Sequence, residues 1–178
     1  MRHPTLYQVN TRVTLHELGK KLGRAATLDD IPDAALDVVA ENGFSWVWFL
    51  GVWQTGEDAR RVSRTNPSLR AEFEHELPDL RDADIVGSPF AVTEYTVHRD
   101  FGGDAALKRV RERLAKRGIR LLLDFVPNHV APDHPWTKSH PEYFVAGTDA
   151  DLAREPQNYR RVDTGRGTMV LAYGRDPY

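Results

Sequence analysis

A chain of 178 residues, 40% hydrophobic and 28% charged, is long enough for one domain with a sizeable core and has the composition of a globular protein rather than a disordered or fibrous one. Its formal net charge of −2 speaks against a dedicated nucleic-acid surface, and the lack of cysteine excludes a disulfide framework and any thiolate metal site or nucleophile. No run approaches the length of a membrane span, and Met1-Arg2-His3-Pro4-Thr5-Leu6 lacks the apolar core of a signal peptide, so a soluble cytoplasmic protein with no membrane partner is expected.

Leu6-Tyr7-Gln8-Val9-Asn10 alternates apolar and polar residues and predicts a first strand. The stretch from there to Arg24 is poorly periodic and predicts a loop with at most a helical turn. Asp29 or Asp30 is placed to cap a helix with Pro32 in its first turn, Ala35, Val38 and Val39 on one face, and a stop at Asn42-Gly43. Trp46-Val47-Trp48-Phe49-Leu50, aromatic and β-branched between two glycines, predicts a second, buried strand. Beyond its carboxyl end stand Trp53 and Gln54, and Trp53 either stacks on a ligand or packs under its own loop. Glu57 to Asp84 is charge-rich and punctuated by Pro67 and Pro78, which predicts a long elaborated loop with a helix through Leu69 to Leu77.

Asp104 is placed to cap the next helix, which carries Leu107, Val110 and Leu114 at spacings of three and four, with Gly118 past its end. The basic run Lys108, Arg109, Arg111, Arg113, Lys116, Arg117 and Arg120 alternates with those apolar residues and reads as a solvated helix face. The helix delivers the chain into Gly118 to His129, an almost continuous apolar run that predicts a strand buried on both faces, around which the rest is organised. Its end is polar: Asp124, Asn128 and His129 fall where strand becomes loop, with Pro127 between them. From Val130 to Tyr178 prolines and glycines predict an irregular segment, with a short strand at Thr168 to Tyr173. The expected division is therefore 1–129 and 130–178.

Strands separated by crossover helices are the signature of parallel βα units, and about three strands of a possible eight are present, since a whole (β/α)8 barrel takes about 250 residues. Carboxyl ends of barrel strands are where substrates bind, so Asp124 and His129 are candidate site residues. Two other readings stay open: a buried structural pair, and a zinc site from His129, His134 and His140, whose spacings of five and six fit no standard zinc signature.

Two stretches resemble a known family. Asp124-Phe125-Val126-Pro127-Asn128-His129 is similar to the Asp-x-x-x-Asn-His motif ending the third strand in the α-amylase superfamily (glycoside hydrolase family 13) of retaining glycosidases and transglycosylases. Upstream, Phe90-Ala91-Val92-Thr93-Glu94-Tyr95 with Phe101-Gly102-Gly103 resembles the family's segment before its second helix, and Leu6-Tyr7-Gln8-Val9 its first strand. The resemblance implies a TIM barrel, of which these residues are the first three βα units plus the start of a short irregular domain B from residue 130. It implies an α-glucan or oligosaccharide substrate, with His129 hydrogen-bonding the sugar, Asp124 organising the base of the site and Phe90 stacking on the sugar where the family has a tyrosine. Trp53 joins them as a candidate substrate contact, and Asn128 falls where many members bind calcium, with Asp133, Asp149 and Asp163 as further candidate ligands without a pattern. Ala91 replaces the family's customary aspartate.

The two carboxyl groups of a retaining glycosidase, about 5 Å apart, lie in this family on strands four and five. No such pair falls within these residues, so the expectation is an amino-terminal fragment, inactive alone, of an enzyme acting on α-glucosidic bonds, against the alternative of a non-catalytic α-glucan binder. An open sheet of three parallel strands also leaves edges exposed, which predicts poor cover over Leu121 to Leu123 and Trp46 to Leu50 and a marginally stable chain.

Overall fold

The computed structural model describes residues 3–173. They fall into two compact units: one takes the chain up to Thr55 together with Ser88–Val130, the other Gly56–Gly87 with the chain from Ala131 on. Residues 56–87 thus group with the carboxyl-terminal segment rather than with the strands on either side of them in sequence.

The first unit is built on three parallel strands, β1 (Leu6–Asn10), β2 (Trp46–Leu50) and β5 (Arg120–Leu123), in the order β1-β2-β5. The register sets Val9 beside Phe49 and Phe49 beside Leu123, so all three strands end at the same edge. Alternation along β2 sends Val47 and Phe49, each 1% exposed, into a core shared with Leu36, Val39, Val110 and Leu114, while Trp46, Trp48 and Leu50 stay half-buried on the opposite face. The expected poor cover of Trp46 to Leu50 therefore fails on one face, because β2 is the central strand and the helices seal that side. β5 is the edge strand instead: Leu121 and Leu123 pack on the core, but Leu122 is 36% exposed and Arg120 lies with its guanidinium over the Trp46 ring. The expectation of a strand buried on both faces is corrected accordingly.

Helix α1 (Thr11–Leu22) replaces the loop expected there. The Asn10 side chain accepts from Val13 N to start it, Leu15 buries into the core, and Gly23, at φ 67°, ends it. A 3₁₀ turn over Leu28–Asp30, closed by a reciprocal Thr27–Asp30 cap, precedes α2 (Asp33–Glu41), so Pro32 is the N-cap residue of α2 rather than part of its first turn. Helix α5 (Gly103–Ala115) buries Ala106, Val110 and Leu114; Asp104 does not cap it but accepts from Val97 N. A short antiparallel pair, β3 (Trp53–Thr55) with β4 (Val92–Val97), completes this unit.

Three arginines of the basic run are not simply solvated. Arg109 pairs with Asp29 at 2.6 Å, Arg113 with Asp33 at 3.1 Å, and Arg117 with both Asp33 and Asp37 at 3.0 and 2.6 Å, so arginines four apart on α5 and just past its end meet aspartates four apart from the 3₁₀ turn into α2.

In the second unit the segment expected to be a loop with a helix through Leu69 to Leu77 forms two helices, α3 (Glu57–Thr65), which was not expected, and α4 (Pro67–Glu76), which was. Asn66 caps α4 by accepting from Ser68 N and Leu69 N. The segment after residue 130 is more regular than expected: α6 (Trp136–Ser139), β6 (Ala146–Gly147), α7 (Asp149–Arg154), β7 (Tyr159–Thr164) and β8 (Gly167–Ala172), the strands forming an antiparallel sheet in the order β6-β8-β7. The Thr-Gly-Arg-Gly sequence at 164–167 makes the tight β7–β8 hairpin.

Candidate functional site at the carboxyl end of the parallel sheet

Asp124 is the first residue beyond β5, and the common edge of the three strands brings it to the end of β2. Its carboxylate accepts from Trp48 Nε1 at 2.9 Å and from Gly51 N at 2.5 Å, while its carbonyl accepts from Trp53 Nε1 at 2.8 Å. Half-buried, it acts as a clamp on the turn leaving β2. Gly51 is required there twice over: its φ is +73°, and a Cβ would lie 2.6 Å from that of Pro89. Pro89 precedes Phe90, so the same turn seats the Phe90 loop, in which Phe90 N donates to Ser88 Oγ and the half-buried ring follows.

Trp53 is held rather than free: besides its bond to Asp124 it meets Tyr95 edge-on at 5.3 Å. The Tyr95 hydroxyl in turn donates to Val126 O at 3.1 Å and accepts from Val126 N at 2.8 Å, fixing the segment after β5. Asn128 and His129 are exposed, with His129 Nδ1 3.1 Å from Asn128 Oδ1; no hydrogen bond joins His129 to Asp124, Phe90 or Trp53. Gln54 is committed to backbone, accepting from Arg99 N and donating to Thr55 O. Sequence reasoning missed Trp48 and Gly51 as partners of Asp124; the signal available was strand alternation, which puts Trp48 on the face opposite Val47 and Phe49.

Among the described residues no group of three or more His, Cys, Asp or Glu gathers to hold an ion. The other candidate ligands are engaged elsewhere: Asp133 accepts from Asp58 N, Asp149 pairs with Arg161 at 2.8 Å, and Asp163 accepts from Thr168 Oγ1.

A family profile described as alpha amylase, catalytic domain, matches residues 88–163. The alpha-1,4-glucan:maltose-1-phosphate maltosyltransferase of Pseudomonas aeruginosa is 30% identical over 147 residues, 78% of this chain and 20% of that protein. The chain belongs to the α-amylase family. Another relative in the α-amylase family, the oligo-1,6-glucosidase of Parageobacillus thermoglucosidasius, is 26% identical over 140 residues, 74% of this chain and 20% of that one. A crystal structure of an α-amylase from Lactobacillus plantarum superposes with a TM-score of 0.59 at 24% identity, covering 97% of this chain and 32% of that one, and shows the fold. The three parallel strands are thus the amino-terminal βα units of an α-amylase-type TIM barrel, and the chain spans about a fifth of the length of these curated relatives. Among the described residues no helix is long and apolar enough to cross a membrane.

Proposed function

We propose that this chain supplies part of the sugar-binding rim of an α-amylase-type enzyme that cleaves or transfers α-glucosidic bonds with retention of configuration. The observation that carries the reading is the Asp124 clamp, which ties the ends of β2 and β5 to the Phe90 turn at the sheet edge where barrels bind substrate. Asp124 positions, His129 offers its exposed imidazole to a sugar hydroxyl, and Phe90 and Trp53 supply aromatic surface. The two carboxyl groups that such a reaction needs, about 5 Å apart, come from residues outside the 178. Relatives named for α-1,4-glucan and for oligo-1,6-glucoside chemistry support an α-glucan or oligosaccharide substrate.

The test is to translate the coding DNA past Tyr178, express the protein it encodes, and follow the anomeric protons of maltoheptaose by NMR. Retained α-configuration in the first product is expected, together with a loss in kcat/KM of about 100-fold in His129→Ala, the scale of one hydrogen bond that strengthens in the transition state. A β-configured first product, or a His129→Ala enzyme as fast as the parent, overturns the reading.

A further inference from the structure

The second unit carries an aromatic group that the site above does not use. Trp136 is 47% exposed and Tyr143 62%, large rings to leave in water, yet neither sits on a loose loop. Trp136 N donates to His134 Nδ1 at 3.1 Å and its carbonyl accepts from His140 N at 2.8 Å; Tyr143 N donates to His140 O at 3.1 Å. Beneath them His134, Thr137 and Pro141 are buried, with Thr137 Oγ1 closing the turn on His134 O at 2.8 Å. The backbone is therefore pinned while the rings project, which leaves little conformational entropy to lose on binding.

The rings also have an order. Tyr143 stacks on His140 at 4.9 Å and 8°, and Trp136 meets Tyr143 edge-on at 5.4 Å and 82°, so the two exposed rings form a corner. At its edge Glu142 stands between His140 (3.2 Å) and Arg166 (3.3 Å), offering donors and acceptors with little net charge. An apolar corner with a balanced polar edge matches a sugar ring, whose C–H face is apolar and whose hydroxyls radiate from the rim. It matches poorly a phosphate-rich or lipid surface, which calls for unpaired positive charge.

We infer that Trp136 and Tyr143 form a platform that binds an α-glucan chain, with Glu142 and Arg166 taking sugar hydroxyls. The choice of α-glucan rests on the function proposed above; the platform itself rests on the ring geometry.

The test uses the 178-residue chain and maltoheptaose, read through tryptophan indole resonances in nitrogen–proton NMR, the Trp136 peak being assigned by its loss in Trp136→Phe. A saturable shift of that peak is expected, moved to at least about tenfold higher sugar concentration in Tyr143→Ala, as for a residue at the centre of a contact. Trp136→Phe, which keeps a ring, is expected to bind within a few-fold of the parent by saturation transfer to the sugar, so a loss in Tyr143→Ala cannot be put down to a misfolded turn. Shifts confined to Trp48 and Trp53 overturn the platform while supporting the site at the end of β5. No indole shift at all, or a Trp136 peak that moves with protein concentration rather than with sugar, also overturns it, while the anomeric assay on the longer protein decides the function separately. An equal response to cellohexaose overturns the α-glucan assignment.

Discussion

Removing the Asp124 carboxylate is the sharpest perturbation of the candidate site. In Asp124→Ala two donors lose their acceptor at once, Trp48 Nε1 on a half-buried ring and Gly51 N on a buried turn. An unpaired donor costs about 1–3 kcal/mol according to burial, so about 1 for the indole and about 2 for the amide gives a loss of about 3 kcal/mol. That is a large share of the 5–15 kcal/mol typical of a whole domain. Asp124→Asn keeps one carbonyl acceptor but turns an NH2 toward the other donor, and about half the loss is expected. The assay is urea unfolding followed by tryptophan fluorescence, which Trp48 and Trp53 report directly. With a slope of about 2 kcal/mol/M the alanine midpoint falls by about 1.5 M. Trp48→Phe removes the indole donor, so its effect and that of Asp124→Ala should be non-additive by about 1 kcal/mol. Alanine and asparagine variants both within about 0.5 kcal/mol of the parent, or full additivity with Trp48→Phe, would refute the clamp.

Two further outcomes are expected. In the second unit Asp133 caps α3 from a distance, Oδ2 accepting from Asp58 N at 3.1 Å, and a Cβ on Gly56 would fall 2.1 Å from that oxygen; Asp133→Ala should cost about 1 kcal/mol and Asp133→Asn much less, while Gly56→Ala should match or exceed the loss, all read from urea midpoints. The arginine ladder should show in acid: Arg109 holds the Asp29 carboxyl below its ordinary value, Arg113 does the same for Asp33, and Thr148 with Arg154 brings Asp151 down to about 2. Because these folded values lie below the unfolded ones, the stability they contribute is complete above the ordinary aspartate value of 3.8 and is lost as pH falls from there toward about 2, most visibly at low salt; in Arg113→Gln the share of that pH dependence carried by Asp33 should shrink, and an unchanged acid profile would count against the ladder.

Local pattern was enough for the parts whose signal is periodic and whose partners lie within a turn or two. The spans of β1, β2, α2 and α5, the edge at which Asp124 emerges and the family motif around it were all legible, because alternation and the three-four spacing are set by backbone geometry that any packed element must obey. Helix α1 was not, since its apolar stripe is thin and its start depends on the Asn10 cap and on burial of Leu15. Nor did the run 119–123 disclose that β5 is an edge strand: leucines look alike whether or not a neighbour covers their far side, and only the strand order β1-β2-β5 decides it. The partners of Asp124 are 73 and 76 residues away, and the pairing of Trp53 with Val97 also joins segments distant along the chain. Sequence alone thus determined which residues are candidates for the site and at the end of which strand they stand. Only the tertiary structure decided which of them touch, because hydrogen bonds across that distance along the chain exist only once the sheet has brought its strand ends to one edge.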